Sequence, residues 1–264
     1  MDTLSIAFSG SGFKFPVHIG ALIAAMESGR ELIEVSGTSG GSIVASMWAC
    51  GMSKSSMIDI ALNLDFSQYM KPQLSSILKG ALNTGDSVLS FCEDITQGMT
   101  FRDLERELSI VSMNLLTNSS FVFSNSSTPT SKVADAIRGS VSIPLVFLPY
   151  TYKGMKLIDG VVTNSLPLDL LTDPDSLKVG VKILNTGKNP KGVPQTPSAF
   201  QVVKRALYHL IDTQDTWALD SGYFGKIANV HTEYVEGLNP FMTKSVRQRL
   251  LDDGYSSMRS LLER

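Results

Sequence analysis

The sequence predicts an α/β fold built on a parallel sheet, and its first fifty residues carry that prediction. An apolar strand runs into a glycine-rich loop and an apolar helix, and the same order then follows a second time. The composition agrees. A chain of 264 residues with 43% hydrophobic and 18% charged side chains can bury a full core without disulfide or metal support.

Leu4, Ile6 and Phe8 alternate with Ser5 and Ala7, the period of a strand. Ser9-Gly10-Ser11-Gly12 follows as a loop with little side-chain bulk. Pro16 is tolerated in a first helical turn, and Val17 to Met26 is apolar nearly all round, as in a helix buried on most faces. Gly29 stops it. Leu32, Ile33 and Val35 form a second strand that ends in Gly37-Thr38-Ser39-Gly40-Gly41, and Ile43 to Cys50 is the next helix. Residues 54–97 read as helical, with Met57, Ile60, Ala61 and Leu64 at helical spacing and Asp86 as an N-cap. Thr100 and Asp103 have capping-box spacing and open a short helix. Strands are expected at 110–116, 121–123, 145–148, 155–158, 178–184 and 227–234. Helices are expected at 131–138, 199–221 and 244–262. The Gly- and Pro-rich stretch 185–198 is a loop, and residues 1–264 read as a single domain.

The remaining bulk properties exclude function classes. With 23 basic and 25 acidic residues the net charge is −2, which argues against a nucleic-acid partner held by bulk electrostatics. Cys50 and Cys92 cannot make a disulfide framework, and three scattered histidines do not suggest a zinc site. No segment reaches the ~18 consecutive apolar residues of a spanning helix. The N-terminus lacks the basic region of a signal peptide. The expectation is a cytoplasmic protein, with peripheral contact at membranes allowed.

Gly37-Thr38-Ser39-Gly40-Gly41 fits G-x-S-x-G between a strand and a helix, the context in which a tight turn exposes a serine nucleophile. The following helix directs backbone N–H groups at a developing oxyanion. The earlier loop, Gly10-Ser11-Gly12, leaves the same sheet edge and offers further donors beside the N–H of Gly40. Neither nucleotide motif fits: Phe15 stands where each would need another residue. Of the histidines, His18 falls on the buried helix and His209 within a later one. His231, on a late strand, is the only histidine placed to act as base. Asp159 is the better base, because it closes a strand and opens Asp159-Gly160-Val161. An aspartate serves as base toward an alcohol if burial raises its pKa.

Together these residues resemble the patatin-like phospholipase family. The family's glycine-rich block aligns with Gly10-Ser11-Gly12-Phe13-Lys14-Phe15, its further His and Gly with His18 and Gly20, and its G-x-S-x-G with Gly37 to Gly41. Ser140-Val141-Ser142-Ile143-Pro144 and Asp159-Gly160-Val161 match two later blocks, in family order. The resemblance implies a three-layer α/β/α fold with a central, mostly parallel sheet. It also implies a Ser39–Asp159 dyad acting on phospholipid or lysophospholipid esters, with transient contact at a membrane surface. Gly10, Ser11, Gly12 and Gly40 would form the oxyanion hole. Lys14, Gly37, Gly41 and Gly160 would support the motifs, Lys14 by holding loop carbonyls. No metal or other cofactor is implied. Three residues depart from the family pattern: Ser11, Phe15 and Val161. None of them removes a catalytic group.

Two questions stay open at this level. An acyltransferase or thioesterase would use the same dyad, and an inactive lipid-binding protein could keep the scaffold. Residues 66–82 mix Phe66, Tyr69, Met70, Leu74, Ile77 and Leu78 with Lys71 and Lys79, which suits either an interfacial lid or an amphipathic helix of the core.

Overall fold

Alternation along the first strand decides which face of the sheet meets the core. In the computed structural model, which describes residues 2–184, 198, 201–202, 205–206 and 226–263, Leu4, Ile6 and Phe8 point into the main core. Ala7 points the other way, into a smaller cluster with Leu166, Leu168 and Leu171. Most of the expected helix 199–221, including His209, and most of the expected loop 185–198 lie outside the described residues.

The described strands are β1 (Thr3–Phe8), β2 (Glu31–Thr38), β3 (Glu107–Asn114), β4 (Ser119–Ser124), β5 (Tyr150–Tyr152), β6 (Met155–Asp159), β7 (Leu177–Leu184) and β8 (Lys226–His231). They form one sheet in the order β5-β6-β3-β2-β1-β7-β8, with β4 added against β3. β3, β2, β1, β7 and β8 are mutually parallel, and β4, β5 and β6 supply the antiparallel pairs. The helices are α1 (Pro16–Met26), α2 (Gly40–Ala49), α3 (Lys54–Asn63), α4 (Leu74–Ile77), α5 (Asp86–Thr96), α6 (Val133–Ser140) and α7 (Lys244–Leu262). This mixed, mostly parallel sheet flanked by helices is the three-layer α/β/α architecture expected.

α1 is buried from Pro16 to Ala25, as its apolar circumference requires. It crosses α7 with the two backbones in contact. A Cβ on Gly20 would lie 1.9 Å from the Leu251 carbonyl oxygen, and one on Gly254 would lie 1.9 Å from that of Val17. The polar side of β2 faces a strap formed by residues 164–173. Ser36 donates to the Pro167 carbonyl and Thr38 to that of Asn164, while buried Glu34 accepts from the amides of Thr172 and Asp173. No helix among the described residues is long and apolar enough to cross a membrane.

Three sequence expectations are corrected. Residues 54–97 are not continuous helix: α3 stops before extended Leu64, a 3-10 turn covers Phe66–Met70, and Pro72, Gly80 and Gly85 break the rest. Asp86 is the first residue of α5, and the cap position belongs to Gly85 at φ 86°. Residues 145–148 are not a strand, because Leu145 takes a positive φ of 66° after Pro144. The carbonyls of Leu145 and Val146 accept from Leu82 and Asn83 instead. The capping box of Thr100 and Asp103 forms as expected.

Candidate active site

The register on β3 brings two distant loops together. β4 occupies one side of β3 from Ser109 to Asn114. β2 and β6 therefore share the other side, β2 pairing up to Val111 and β6 from Ser112 onward. β2 runs parallel to β3 and β6 runs antiparallel, so their carboxyl ends meet head on. Ser39 follows one end and Asp159 closes the other.

At this junction Ser39 sits at φ 53° and ψ −127°, a conformation sparsely populated by residues with a side chain. The turn is held from several directions. The Ser39 N–H donates to Ser140 Oγ at 2.8 Å, and that hydroxyl donates in turn to the Val111 carbonyl at 2.6 Å. Ser42 Oγ donates to the Ser39 carbonyl at 2.6 Å. Side chains are excluded around it: a Cβ on Gly37 would meet the Gly41 carbonyl oxygen at 2.6 Å, and one on Gly41 that of Phe8 at 2.4 Å.

Ser39 Oγ donates to Asp159 Oδ2 at 2.7 Å. The other carboxylate oxygen accepts the Val161 N–H at 3.0 Å, and the Asp159 N–H donates to the Ser142 carbonyl. Asp159 is 1% exposed. Burial pushes its carboxyl pKa up to about 7, with the Val161 amide and the Ser39 hydroxyl opposing the rise. Gly160 keeps β6 against β3, since a Cβ there would lie 2.3 Å from the Val111 carbonyl oxygen.

The glycine loop lies against the start of α2. A Cβ on Gly40 would fall 2.1 Å from Ser11 Oγ and 2.6 Å from the Gly12 carbonyl oxygen. Gly12 has φ 56°. Gly10 departs from its expected part: its N–H donates to the Ser165 carbonyl at 3.1 Å, so that amide is already engaged. What the site requires of Gly10 is room for Val161, whose Cγ1 would be 2.4 Å from an added Cβ. The departure from family pattern at Val161 is thus matched by the missing side chain at Gly10. The amides of Ser11, Gly12 and Gly40 remain as candidate donors.

Two buried side chains brace this loop. Lys14 Nζ donates to the Thr232 carbonyl and hydroxyl at 3.2 and 2.9 Å, tying the loop to the segment after β8. His18 Nε2 lies 2.8 Å from the Ser9 carbonyl oxygen, so it carries the proton. Burial pulls the imidazole pKa down to about 4, and His18 is neutral at pH 7. His231 is exposed and pairs with Glu233 at 3.0 Å. Of the two candidate bases, Asp159 is the one in contact with Ser39.

Ser39 and Gly40 form one wall of a cavity whose remaining lining is almost wholly apolar. Phe13, Phe15, Phe66, Tyr69 and Phe91 line it, with Ile43, Ile143 and Phe147. Phe15 is therefore both buried in the core and part of the cavity wall. Phe13 stacks on Phe66 at 5.1 Å between ring centroids, and Phe15 meets Phe66 edge-on at 5.3 Å. The expected stretch 66–82 divides: its first part builds this wall, while Leu74, Ile77 and Leu78 stand exposed.

Sequence reading assigned no role to Ser140 or Arg138. Arg138 is buried and donates to the carbonyls of Thr84, Gly85 and Leu148 and to Ser142 Oγ, fastening the residues around the cavity and beside Asp159. The available signal was a lone arginine on the otherwise small and apolar face of the 131–138 helix. Ser140 stood within a matched block, but its partners become visible only when β2, β3 and α6 are assembled.

A family model described as patatin-like phospholipase matches residues 6–172. An uncharacterised protein of Acanthamoeba polyphaga mimivirus is 28% identical over 205 residues, which cover 73% of this chain and 69% of that protein. Omega-hydroxyceramide transacylase of Mus musculus is 26% identical over 175 residues, 64% of this chain but 29% of the transacylase. Among solved structures, VipD from Legionella pneumophila superposes with a TM-score of 0.64 at 16% identity, covering 99% of this chain and 66% of VipD.

Proposed function

The chain belongs to the patatin-like phospholipase family, and from that premise we propose that it cleaves carboxylic esters of membrane phospholipids as a phospholipase A or lysophospholipase. The observation that carries this reading is the Ser39–Asp159 hydrogen bond of 2.7 Å at the wall of an apolar cavity. A cavity so lined suits an acyl chain, with the ester carbonyl held beside Ser39. The reading treats residues 1–264 as one domain.

In this mechanism Ser39 Oγ attacks the ester carbonyl carbon as Asp159 takes the hydroxyl proton. A carboxyl held at about 7 is a far better proton acceptor than an ordinary aspartate, and half of it is ionised at that pH. The amides of Ser11, Gly12 and Gly40 receive the negative charge on the carbonyl oxygen, aided by the N-terminus of α2. Collapse of the tetrahedral intermediate breaks the ester C–O bond, and Asp159 returns the proton to the departing lysolipid alcohol. Asp159 then takes a proton from water, whose oxygen attacks the acyl-enzyme. The fatty acid leaves and Ser39 regains its proton.

Ser140→Ala tests whether the strained turn is part of this chemistry. It strips the acceptor from the Ser39 amide, and we expect kcat to fall roughly tenfold through loss of alignment. KM for a water-soluble ester should stay within about twofold, because Ser140 does not line the cavity. An unchanged kcat would remove Ser140 from the account.

The similarity to a ceramide transacylase favours one second reading, transfer of the acyl group to an alcohol other than water. Both readings share the acyl-enzyme and differ in its acceptor. Product analysis from phospholipid vesicles in EDTA, with and without an added long-chain alcohol, separates them. Free fatty acid as the main product supports hydrolysis, and a new ester formed at its expense supports transfer. If neither forms and a fluorophosphonate leaves Ser39 unlabelled, the enzyme reading fails.

A further inference from the structure

Large apolar side chains left in water carry information when they share a direction. Among the described residues, Leu74, Ile77, Leu78, Leu115, Leu116, Val202 and Phe241 are exposed. Leu115 and Leu116 follow β3, and Phe241 follows β8. β3 runs parallel to β2, so Leu115 and Leu116 lie beyond the sheet edge that carries Ser39, while Phe241 sits on the turns between β8 and α7. Leu74, Ile77 and Leu78 belong to a loop hung from the cavity wall. Tyr69 and Met70 line the cavity just before it, and Leu82 and Asn83 bond to the carbonyls of Leu145 and Val146 just after it. The segment preceding Phe241 is joined to the same wall, since Leu238 lines the cavity and the Gly237 carbonyl accepts from Phe13.

The outermost of these groups are nearly fully solvated, with Leu74 at 75%, Leu78 at 81% and Phe241 at 77% exposure. Two cations flank Leu74, Ile77 and Leu78: residues 66–82 contain the exposed Lys71 and Lys79 and no acidic residue. α4, which carries Leu74 and Ile77, is a four-residue turn of helix with its apolar groups pointing outward. Several loops, each with a few apolar tips beside polar residues, suit a fluid interface that adapts to every tip. A protein partner would need one shaped, continuous surface.

We propose that Leu74, Ile77 and Leu78, with Phe241 on the neighbouring loop, insert into the interface of an anionic bilayer while Lys71 and Lys79 meet its headgroups. This rests on the reading of the cavity as an acyl-chain site for a membrane lipid. It adds that the rim of the cavity is itself the anchor, so that a lipid passes from the bilayer to Ser39 without crossing water.

Flotation of the full chain with phosphatidylcholine vesicles, with and without phosphatidylserine, tests the anchor, and hydrolysis of a short water-soluble ester tests the site independently. Leu74→Ser/Leu78→Ser should weaken vesicle binding by roughly tenfold or more. Its soluble-ester activity and phosphonate labelling of Ser39 should remain at the level of the unaltered chain. Lys71→Gln/Lys79→Gln should remove most of the gain conferred by phosphatidylserine. Equal flotation of the double-leucine variant and the unaltered chain would overturn the proposal. An unaltered chain that cleaves the soluble ester but never floats would overturn the anchor and leave the esterase reading intact. An inert chain whose flotation depends on Leu74 and Leu78 would support the anchor while the esterase reading failed. Self-association abolished by the leucine changes, without flotation, would assign the patch to a second copy and overturn the bilayer.

Discussion

Ser39→Ala is expected to lower ester hydrolysis by at least about a thousandfold, because it removes the hydroxyl that would form the acyl-enzyme. Asp159→Asn should fall by roughly a hundredfold to ten-thousandfold. The amide keeps the shape of the carboxylate and a partner for Ser39, but cannot take its proton. The two losses should not multiply, since hydroxyl and carboxylate act as one unit. Release of fatty acid from vesicles and turnover of a soluble ester, measured on both variants and on the pair together, provide the check. Full activity in Asp159→Asn would dismiss the aspartate as base.

The second large effect is a change of opposite sign in stability. Asp159 is raised from the ordinary aspartate range to about 7 by burial. The native state therefore holds this proton more tightly than the unfolded chain does. That contribution to stability is fully present below the unfolded pKa of ~4 and is lost as pH rises through about 7. Above that, the ionised buried carboxylate costs on the order of 4 kcal/mol relative to its protonated form. Asp159→Asn escapes this cost, so it should be more stable than the unaltered chain at about pH 8 and lose that advantage toward about pH 4. Urea unfolding at both pH values measures the difference. The same titration predicts that kcat/KM rises through about pH 7 to a plateau, since the base must be ionised. A stability difference independent of pH would contradict the buried, raised carboxyl.

Ser39 and Asp159 were legible because their neighbours are constrained: turns of this kind need glycine at fixed offsets, and glycines are visible in a sequence. The buried α1 was legible for a similar reason, as a helix apolar all round has only one place to go. Ser140 and Arg138 were less so: a lone arginine marked its helix face, but the partners that give both residues a role, Ser39, Thr84, Gly85 and Val111, lie on elements distant in sequence. Gly10 shows the limit at finer scale. The motif marked the residue, but only the assembled loop reveals that its amide serves Ser165 and its missing side chain makes room for Val161. Residues 54–97 misled through periodicity, which holds along α3 and α5 while Pro72, Gly80 and Gly85 interrupt the chain between them.

The head-on meeting of β2 and β6 along one side of β3 makes that strand a ruler. A one-residue slip of β6 would turn its core side chains toward the opposite face and be rejected by packing. A two-residue slip keeps every side chain on its own face, yet it would carry Asp159 ~7 Å along β3 from Ser39. The core alone thus polices this register only in steps of one, whereas the chemistry depends on it absolutely. The β3–β6 ladder is so short, with pairs at Ser112, Met113 and Asn114, that the close fit of Gly160 on the Val111 carbonyl becomes the stop that fixes the reading.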